Sequence, residues 1–591
     1  MLNLASTLFK TQDMNFNLKN HQQDLLFLPL GGANEIGMNL NLYHLNGKWL
    51  MIDCGVGFAY DVPGVSMMVP DISFLQQIKK NLLGLVITHI HEDHLGAVVH
   101  LWPELQTPIY ASNFAINFLQ SKLSETKFAK EVPLHKITGK NLKLNPFELE
   151  FIGLTHSVPE MQAVLIKTQV GNILHTGDWK LDPDPVVGKP SDLATIKAYG
   201  DSNQILAMVC DSTNAINPGH SRSEGELYMS LKSLMLNRQG IIGVTTFASN
   251  LARIHTIAKI ATEIGRKVIL AGFSLHRLYE VGKKSGYDFE NCHFISEREL
   301  KLYNKNEVLV ICTGCQGEPM AAVRKIATNS HPVIHFSKGD LMIFSSKIIP
   351  GNEKKIFELF DLLAKKQIDV MTEKDHFVHV SGHPSQAELR IMYDLAKPQI
   401  AIPVHGEFIH TKTHCELALE CGVPKIIQAE NGLVININSQ NPNSSTSVGF
   451  VKSGYLGVDG KQLLDLNCEI IRERKKLQDS GAVFVALHLD KYLARQKQSK
   501  IICVGSYNLK QDKFTTDLIY KELDSLLRGK AKEVKFDESS FSFNFLKKKK
   551  SFDYSKIVQE LEKSIRSKLL KIFNDLMGKK PVLEINIIIE K

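Results

Sequence analysis

The hydrophobic pattern of the first part of the chain predicts short strands separated by turns. LLFLPLGG, from Leu25 to Gly32, is apolar and ends in two glycines. Two β-rich runs then flank Asn46-Gly47, a dipeptide typical of the type I′ hairpin turn. LLGLVITH is a continuous apolar run that stops at His89, as a buried strand does. We therefore expect residues 25–210 to form a strand-rich domain.

The pattern changes at about Asp211, where predicted strands begin to alternate with helices. SEGELYMSLKSLML and NLARIHTIAKIATEIG have helical periodicity, whereas IIGVTTFAS and KVILAG have the composition of strands. Such alternation is typical of a parallel sheet covered by helices. Strand-like runs return near Asp369, in IDVMTE, HFVHVSGH and QIAIPVHG. The sequence therefore predicts an α/β domain at residues 211–368, inserted into a strand-rich domain that resumes at 369–435.

Three further segments complete the predicted organisation. Residues 1–24 resemble neither pattern, and we treat them as an amino-terminal extension. Residues 436–465 begin with a run rich in Asn and Ser and predict a linker. Residues 466–591 predict a small α/β domain with two helices, near Thr516 to Arg528 and Tyr554 to Met577.

Composition narrows the class of protein. A chain of 591 residues with 43% hydrophobic and 22% charged residues is typical of a globular protein of two to four domains. We find no apolar run of about 18 residues and no secretory leader pattern, so we expect no membrane partner and a cytoplasmic location. Nine scattered cysteines predict no disulfide framework. The net charge of +8, with basic runs at Leu546–Lys550 and Arg472–Lys476, suits a polyanionic partner.

The stretch VITHIHEDHLGAV carries the first candidate chemistry, because His89, His91, Asp93 and His94 follow a buried strand. Imidazole and carboxylate ligands suit zinc and also manganese. His89 and His91 are two residues apart, so on an extended chain both side chains reach one ion. Asp93 and His94 follow on a tighter turn and can face a second ion. The alternative is a helix start capped by Asp93, which the three histidines in six residues disfavour.

More candidate ligands stand where other apolar strands end. Asp53 ends LMIDCG, His156 follows FIGLT, Asp178 follows NILHTG, and His405 ends IAIPV. Loops at strand ends gather at one edge of a sheet, where a site can form. Each residue alone can also be read as a turn or cap. Together they supply two sets of three ligands and a bridging carboxylate, as a dinuclear hydrolase needs.

These residues carry a family resemblance. The HxHxDH pattern with His156, Asp178 and His405 resembles the metallo-β-lactamase fold. The Asp211-Ser-Thr-Asn, His379-Val-Ser-Gly-His383 and Pro403-Val-His405-Gly-Glu407 segments resemble the three signatures of β-CASP nucleic-acid nucleases. Within that group the chain resembles the bacterial ribonuclease J family, through LPLGGANEIGMN, TTFASN, TGCQGEP and IPGNE. The resemblance covers Leu26 to Asn431 strongly, with Ile90 where glycine is expected.

The resemblance implies a fold and a metal site. The fold is an α/β metallo-β-lactamase αββα sandwich with an inserted β-CASP α/β domain and a small α+β carboxy-terminal domain. Two divalent ions are implied, zinc with manganese as the alternative. One ion would be held by His89, His91 and His156, the other by Asp93, His94 and His405, with Asp178 bridging. Asp53 would orient a ligand histidine, and Asp211 would act similarly.

The resemblance also implies catalytic and RNA-contacting residues. A water shared by the two ions would attack phosphorus in line, with catalytic roles for Asp93, Asp178, Asp211, His379 and His383. Small residues let backbone N–H groups approach a phosphate, and a helix start is an anion seat. The candidate RNA-binding residues are Ser249, Asn250, His276, Ser345, Ser346, Gly351, Ser381, Gly382 and His383. For His276, a role without RNA is the alternative.

The function expected from the resemblance is a ribonuclease of RNA maturation and decay, including ribosomal and messenger RNA. It would act 5′-to-3′ on monophosphorylated ends and would also cleave internally. Expected partners are RNA, further copies in a homodimer or homotetramer, and other RNA-decay proteins. The alternatives are a β-CASP DNA nuclease, a lactonase or thioesterase, and an inactive scaffold. The inserted domain disfavours the small-molecule hydrolase, and the complete ligand set disfavours the scaffold.

Overall fold

The computed structural model describes residues 16–59, 62–289, 291–541 and 554–590. The basic run at Leu546–Lys550 and most of the predicted amino-terminal extension lie outside the described residues. The chain divides into two compact units. The larger unit is built from the chain up to Phe58 and from Met67–Lys461, and the smaller unit mainly from Gln462 onward.

Two mixed sheets form the centre of the larger unit. In spatial order, the first contains the strands Thr446–Phe450, Leu433–Asn436, Leu26–Gly31, Leu40–Leu45, Lys48–Ile52, Leu82–Ile87, Ile109–Ala111 and Leu134–Lys136. The second contains Lys425–Ile426, Ile400–Val404, Ile205–Asp211, Asn172–His175, Gln162–Lys167, Phe147–Gly153 and Asn141–Leu144. The buried runs predicted from the sequence are therefore strands, and several stop one to three residues before a candidate ligand.

The two sheets pack face to face. Phe27 and Tyr43 of the first sheet share one buried cluster with Val164 and Ile402 of the second. The outer face of the second sheet packs against helices through a separate cluster that includes Leu389. On the outer face of the first sheet, Trp49 meets Phe74 edge to face at 5.3 Å. Helix, sheet, sheet and helix are thus stacked in four layers.

Helices cover both outer faces of this sandwich. They are Ser73–Ile78, Glu92–Leu95, Val98–Leu105, Asn113–Leu123, Leu193–Asp201, Gln386–Ala396 and Phe408–Glu420. Glu92–Leu95 is a single turn that begins directly after His91. Gln386–Ala396 begins with a capping box between Ser385 and Glu388.

The inserted segment forms its own five-stranded parallel sheet. In spatial order its strands are Lys267–Ala271, Val308–Cys312, Ile242–Thr245, Leu341–Phe344 and Asp369–Met371. Its helices are Leu227–Met235, Leu251–Glu263, Phe273–Lys284, Ala322–Ala327 and Glu353–Lys365. The last strand pairs with the inserted sheet although we expected the first domain to resume at 369. HFVHVSGH, expected to be strand-like, forms no strand in the structure. The carbonyls of Val378 and Gly382 in it are bonded by the side chains of Ser345 and His156.

Residues 436–465 are not an unstructured linker. Thr446–Phe450 extends the first sheet by pairing with Leu433–Asn436. Tyr455–Asp459 pairs with Met67–Pro70, which also pairs with Gly57–Phe58. The Asn/Ser-rich composition describes only the turn before these strands, which is why the composition misled.

The smaller unit has one three-stranded sheet packed against two long helices. The strands, in spatial order, are Lys500–Val504, Ala482–Leu489 and Val582–Ile589, and Gln462–Asp465 precedes them. The helices are Glu469–Ser480, Lys513–Phe541 and Tyr554–Met577. Val483, Leu523 and Phe573 lie in the shared core. Among the described residues, no helix is long and apolar enough to span a bilayer.

Candidate metal centre

The candidate ligands meet where the chain leaves the strands of the sandwich. Asp53 follows Lys48–Ile52 and His405 follows Ile400–Val404 directly. Both have positive φ, 63° and 52°, so the chain turns sharply at each. Such conformations are uncommon for residues other than glycine and cluster at functional sites.

One set of donor atoms converges around His91. His89 Nε2 lies 3.0 Å and His156 Nε2 lies 3.1 Å from His91 Nδ1. Asp178 Oδ2 lies 3.8 Å from His89 Nε2 and 4.0 Å from His156 Nε2. All four donor atoms lie within 4.8 Å of one another. Three nitrogens and one oxygen at this spacing match the donor set of a tetrahedral zinc site.

The second set shares Asp178 with the first. Asp178 Oδ2 lies 3.1 Å from His94 Nε2, and His405 Nε2 lies 3.2 Å from Asp93 Oδ2. The four donors of Asp93, His94, Asp178 and His405 again lie within 4.8 Å of one another. The structure therefore brings together all seven residues that the resemblance assigns as ligands.

The Asp178 carboxylate tests whether these residues fit a metal pair. Its Oδ1 is buried and, among the described residues, accepts no hydrogen bond. A buried carboxylate oxygen without a hydrogen bond is costly, and the ion-pair contact of Oδ1 with His405 Nδ1, at 3.5 Å, is too long to be one. Because Asp178 belongs to both donor sets, its carboxylate could bridge two cations, which would balance its charge. The residues fit two divalent ions.

Electrostatics favour cations in this cluster. Burial lowers the pKa of His91 to about 4 and the pKa values of His89 and His156 well below their ordinary value, so these rings are neutral and able to coordinate. Burial alone would raise the pKa of Asp93, but His94 and His405 outweigh it and lower that pKa. The carboxylates are therefore ionised while three imidazoles are neutral.

Groups behind the ligands fix the orientation of their rings. Asp53 Oδ2 accepts from His94 Nδ1 at 2.7 Å, and Thr88 N–H donates to Asp53 Oδ1 at 2.8 Å. His156 Nδ1 lies 2.6 Å from the Gly382 carbonyl. Such contacts select the ring tautomer and strengthen metal binding. Asp53 thus lies within hydrogen-bonding distance of the ring of a candidate ligand.

Asp211 and His383 lie beside the second donor set. Asp211 Oδ2 lies 2.8 Å from His383 Nδ1, and His383 Nδ1 is 3.8 Å from Asp178 Oδ2. Burial lowers the pKa of His383, but Asp211 outweighs it and raises the pKa above its ordinary value. Thr213, which sequence reasoning missed, donates to Asp211 Oδ1 and lies 2.7 Å from His405 Nδ1. Its place in the Asp-Ser-Thr-Asn signature was the available signal.

His379 belongs to none of the groups of donor atoms that the described residues bring within 4.8 Å of one another, although we expected it to work alongside His383. It is half-buried, and its Nδ1 has no hydrogen-bond partner among the described residues. Burial lowers its pKa well below the ordinary value, and the positive charges of Arg253, Lys347 and Lys180 lower it further. A neutral ring suits hydrogen bonding better than proton donation. Two of the three cations are already balanced by carboxylates, Arg253 by Glu224 and Lys180 by Asp182.

Ser345 has a different position from the one expected of a phosphate contact. It is fully buried, its N–H donates to the Thr245 carbonyl at 2.9 Å, and its hydroxyl donates to the Val378 carbonyl at 2.7 Å. Both of its donors are used inside the protein, so Ser345 cannot seat a phosphate. Ser346 is also buried. The Gly351 N–H donates to Glu353 Oε2 at 2.7 Å.

The other expected RNA contacts are spread over three places. Ser381 and Gly382 lie next to the candidate metal ligands, because the Gly382 carbonyl is bonded to the His156 ring. Asn250 is buried and caps Leu251–Glu263 by accepting from the Arg253 N–H, so its side-chain oxygen is occupied. Ser249 is half-buried before this helix, and His276 is exposed on Phe273–Lys284.

Comparisons with known proteins match the same regions. Family models match as the metallo-beta-lactamase superfamily at residues 39–205, the ribonuclease J beta-CASP domain at 239–363, and the Zn-dependent metallo-hydrolase RNA specificity domain at 367–428. A ribonuclease J of Sinorhizobium meliloti is 37% identical over 95% of this chain and 97% of its own length. The chain belongs to the ribonuclease J family.

Two more relatives of the ribonuclease J family are similarly close. A ribonuclease J of Helicobacter pylori (strain J99) is 33% identical over 88% of this chain and 75% of its own length. Ribonuclease J2 of Bacillus subtilis is 32% identical over 80% of this chain and 85% of its own length. Membership confirms the predicted fold class and the prediction of a metal-dependent hydrolytic ribonuclease.

Proposed function

We propose that the chain hydrolyses RNA 5′-to-3′ from monophosphorylated ends, releasing nucleoside 5′-monophosphates, and also cleaves RNA internally. The observation that carries this proposal is the pair of donor sets sharing Asp178 next to the Asp211–His383 pair. The three family signatures of the sequence supply the same residues. RNA maturation and decay follow as the setting of such an activity.

Two zinc ions are the proposed cofactors, with manganese as the alternative. His89, His91 and His156 would hold one, Asp93, His94 and His405 the other, and Asp178 both. Five histidines among seven ligands favour zinc, since imidazole suits it better than it suits harder cations. Such an ion pair supplies Lewis-acid stabilisation of a phosphodiester under attack and activation of a water molecule.

His383 is the proposed proton donor to the leaving oxygen. Asp211 fixes the ring through Nδ1 and raises its pKa above the ordinary value, which favours the protonated form that a proton donor needs. His379 instead lines the seat of the 5′-phosphate. Ser381 and Gly382 contribute to this seat, because residues this small let a phosphate approach the backbone N–H groups closely. This division of roles follows from the surroundings of the two rings. His383 lies beside Asp211 and Asp178, whereas His379 belongs to none of the donor groups found among the described residues.

Matched substrates test the proposal. Purified protein with zinc or manganese would be incubated with one RNA sequence bearing a 5′-monophosphate, 5′-triphosphate or 5′-hydroxyl end, and with the matching DNA. We expect mononucleotides to accumulate from the monophosphate RNA in preference to the other ends. Equal degradation of the DNA would favour a β-CASP DNA nuclease. Turnover of a lactone or thioester without cleavage of nucleic acid would overturn the proposal.

The oligomeric state, the cellular location and the domain boundaries expected from the sequence are further proposals. We propose a cytoplasmic homodimer or homotetramer that associates with other RNA-decay proteins. The net charge of +8 is compatible with RNA-bound assemblies. Light scattering of the purified chain would give its oligomeric state. A chain that is monomeric at every concentration tested would contradict the proposed homodimer or homotetramer.

A further inference from the structure

Arg253 is an arginine of the inserted domain that is completely buried. It lies in the helix Leu251–Glu263. Its Nε and Nη2 donate to the two carboxylate oxygens of Glu224, at 2.5 and 2.9 Å. The guanidinium is charged at any ordinary pH, and this bidentate pair with Glu224 balances its charge. The pair leaves Nη1 available for other acceptors.

Nη1 of Arg253 connects the inserted sheet to the loop that carries the two signature histidines. It donates to the Ser345 carbonyl at 2.9 Å, to the Ser345 hydroxyl at 2.6 Å and to the Val378 carbonyl at 3.2 Å. The Ser345 hydroxyl in turn donates to the Val378 carbonyl at 2.7 Å. Val378 directly precedes His379. The inserted domain therefore fixes the start of the loop His379–His383 through two donors to one carbonyl.

The other end of this loop is fixed by different groups. The Gly382 carbonyl lies 2.6 Å from His156 Nδ1, next to the metal-ligand cluster. The His383 carbonyl accepts from the Ser221 hydroxyl at 2.6 Å and from Asn214 Nδ2 at 3.1 Å. The loop is thus held at one end beside the metal centre and at the other end by Arg253 and Ser345. A shift of the Val378 carbonyl would therefore move the start of the loop while its other end stays fixed.

Stability alone gives no reason to bury this arginine. A buried ion pair loses hydration on both partners, and apolar residues of similar volume are often as stabilising. What apolar residues cannot do is bond to a defined carbonyl. The arrangement is therefore suited to fixing a loop in one position.

We propose that Arg253 and Ser345 are positioning residues that hold the loop His379–His383 in place to receive the 5′-phosphate of RNA, and that they thereby set the preference for monophosphorylated ends. This inference rests on the proposed function. Neither residue touches RNA, because both side chains are fully buried. Their effect is transmitted through the Val378 carbonyl.

Two substitutions separate positioning from folding. Ser345→Ala removes one hydroxyl and leaves the Arg253–Glu224 pair intact. Arg253→Lys keeps the charge beside Glu224 but loses the fork that reaches Val378. Ser499→Ala is the matched control, since Ser499 is buried and its hydroxyl donates to the His488 carbonyl at 3.2 Å in the smaller unit. Circular dichroism and bound zinc would be measured for all three variants.

Steady-state kinetics at saturating zinc provide the functional readout. For 5′-monophosphate RNA we expect KM to rise about fivefold in Ser345→Ala, the effect of one hydrogen bond, and on the order of tenfold in Arg253→Lys. We expect kcat, and the internal cleavage of 5′-hydroxyl RNA, to change less than about twofold. Ser499→Ala should match the wild type. A parallel loss on both RNAs, or an unchanged KM in both variants, would overturn the inference.

Hydrogen exchange tests the inference without depending on activity. Backbone amides of residues 378–383 should exchange at least about fivefold faster in Ser345→Ala than in the wild type, with no change in Ser499→Ala. Unchanged exchange in this loop would refute positioning whatever the enzyme degrades. Faster exchange in a protein that does not prefer monophosphate RNA would retain the contact but reject the proposed selectivity. Failure of the proposed function would be seen separately, because the wild-type protein itself would then show no preference for 5′-monophosphate RNA.

Discussion

Single residues around Asp178 show how the charge balance of the site is arranged. Asp178 is buried, and its Oδ1 lies 3.5 Å from His405 Nδ1. Burial lowers the pKa of His405, but Asp178, Asp211 and Asp93 outweigh it and raise the pKa to about 10. Three carboxylates thus draw positive charge to this side of the cluster. Divalent ions would balance the negative charge of the same carboxylates and leave His405 neutral, as a metal ligand must be.

His414 gives a prediction about the pH dependence of stability. Its ring is buried between the Ser212 hydroxyl and the Tyr393 hydroxyl, each 2.9 Å away, and burial lowers its pKa to about 4. The unfolded chain, with an ordinary pKa of 6.5, takes up this proton first as pH falls. The folded state should therefore lose about 3 kcal/mol from this group between pH 6.5 and 4, and nothing from it above pH 6.5.

Urea unfolding of metal-free protein at pH 7.5 and 4.5 checks this expectation. His414→Gln replaces the ring with a group that does not titrate, so its unfolding free energy should fall by about 2 to 3 kcal/mol less than that of the wild type. The difference between the two proteins isolates His414 from the other histidines. Equal losses in both proteins would show that His414 titrates normally.

Sequence reasoning found the candidate ligands because several of them follow apolar strands. His89, His156 and His405 could be placed at strand ends from periodicity, and the signatures then grouped them. Ser345 was misjudged for the opposite reason. Its partners are Arg253, 92 positions earlier, and Val378, 33 positions later, and no local pattern reports such contacts.

At the scale of elements, the loop His379–His383 packs closely against the ring of a candidate ligand. A Cβ added at Gly382 would lie 2.7 Å from His156 Cε1 and 2.9 Å from His156 Nδ1. Glycine is needed here for close approach to a ligand ring, not for an unusual backbone angle. The ring cannot retreat without leaving the donor set.

Gly382→Ala should therefore weaken metal binding. We expect the affinity for zinc to fall about 10- to 100-fold, the range seen when groups that orient ligands are disturbed. Competition with a chromogenic chelator would measure it. Gly139→Ala is the matched control, since a Cβ at Gly139 meets nothing within 4 Å. Wild-type affinity in Gly382→Ala would contradict the placement of this loop against His156.

Element boundaries were predictable where a single element had a continuous pattern. The helix expected near Tyr554 to Met577 has those limits in the structure. The short strand Asp369–Met371 pairs with Leu341–Phe344 of the inserted sheet, although it begins where we expected the first domain to resume. Strand pairing is a long-range property, and alternation of residue types does not encode it.

For the whole molecule, the net charge of +8 predicts how RNA binding depends on salt. Neutralising phosphates with lysine and arginine releases counterions, so affinity falls steeply as salt rises. We expect KM for 5′-monophosphate RNA to increase at least about tenfold between 50 and 200 mM salt. For bis(4-nitrophenyl) phosphate, which carries one charge, KM should change less than about twofold. Similar salt dependence for both substrates would argue against an extended RNA contact.

The central claim, a metal pair bridged by Asp178 that hydrolyses RNA, is tested most directly by Asp178→Asn. The amide keeps the shape of the side chain but cannot neutralise two cations. Asp201→Asn is the control, because Asp201 is exposed and pairs only with Lys197 and Lys397 in the described structure. Zinc content and hydrolysis of 5′-monophosphate RNA would be measured on the same samples.

We predict two zinc ions per chain in the wild type and in Asp201→Asn. Asp178→Asn should hold at most one, and its kcat should fall on the order of a thousandfold while circular dichroism is unchanged. An Asp178→Asn protein that keeps both ions and hydrolyses RNA at the wild-type rate would contradict the account.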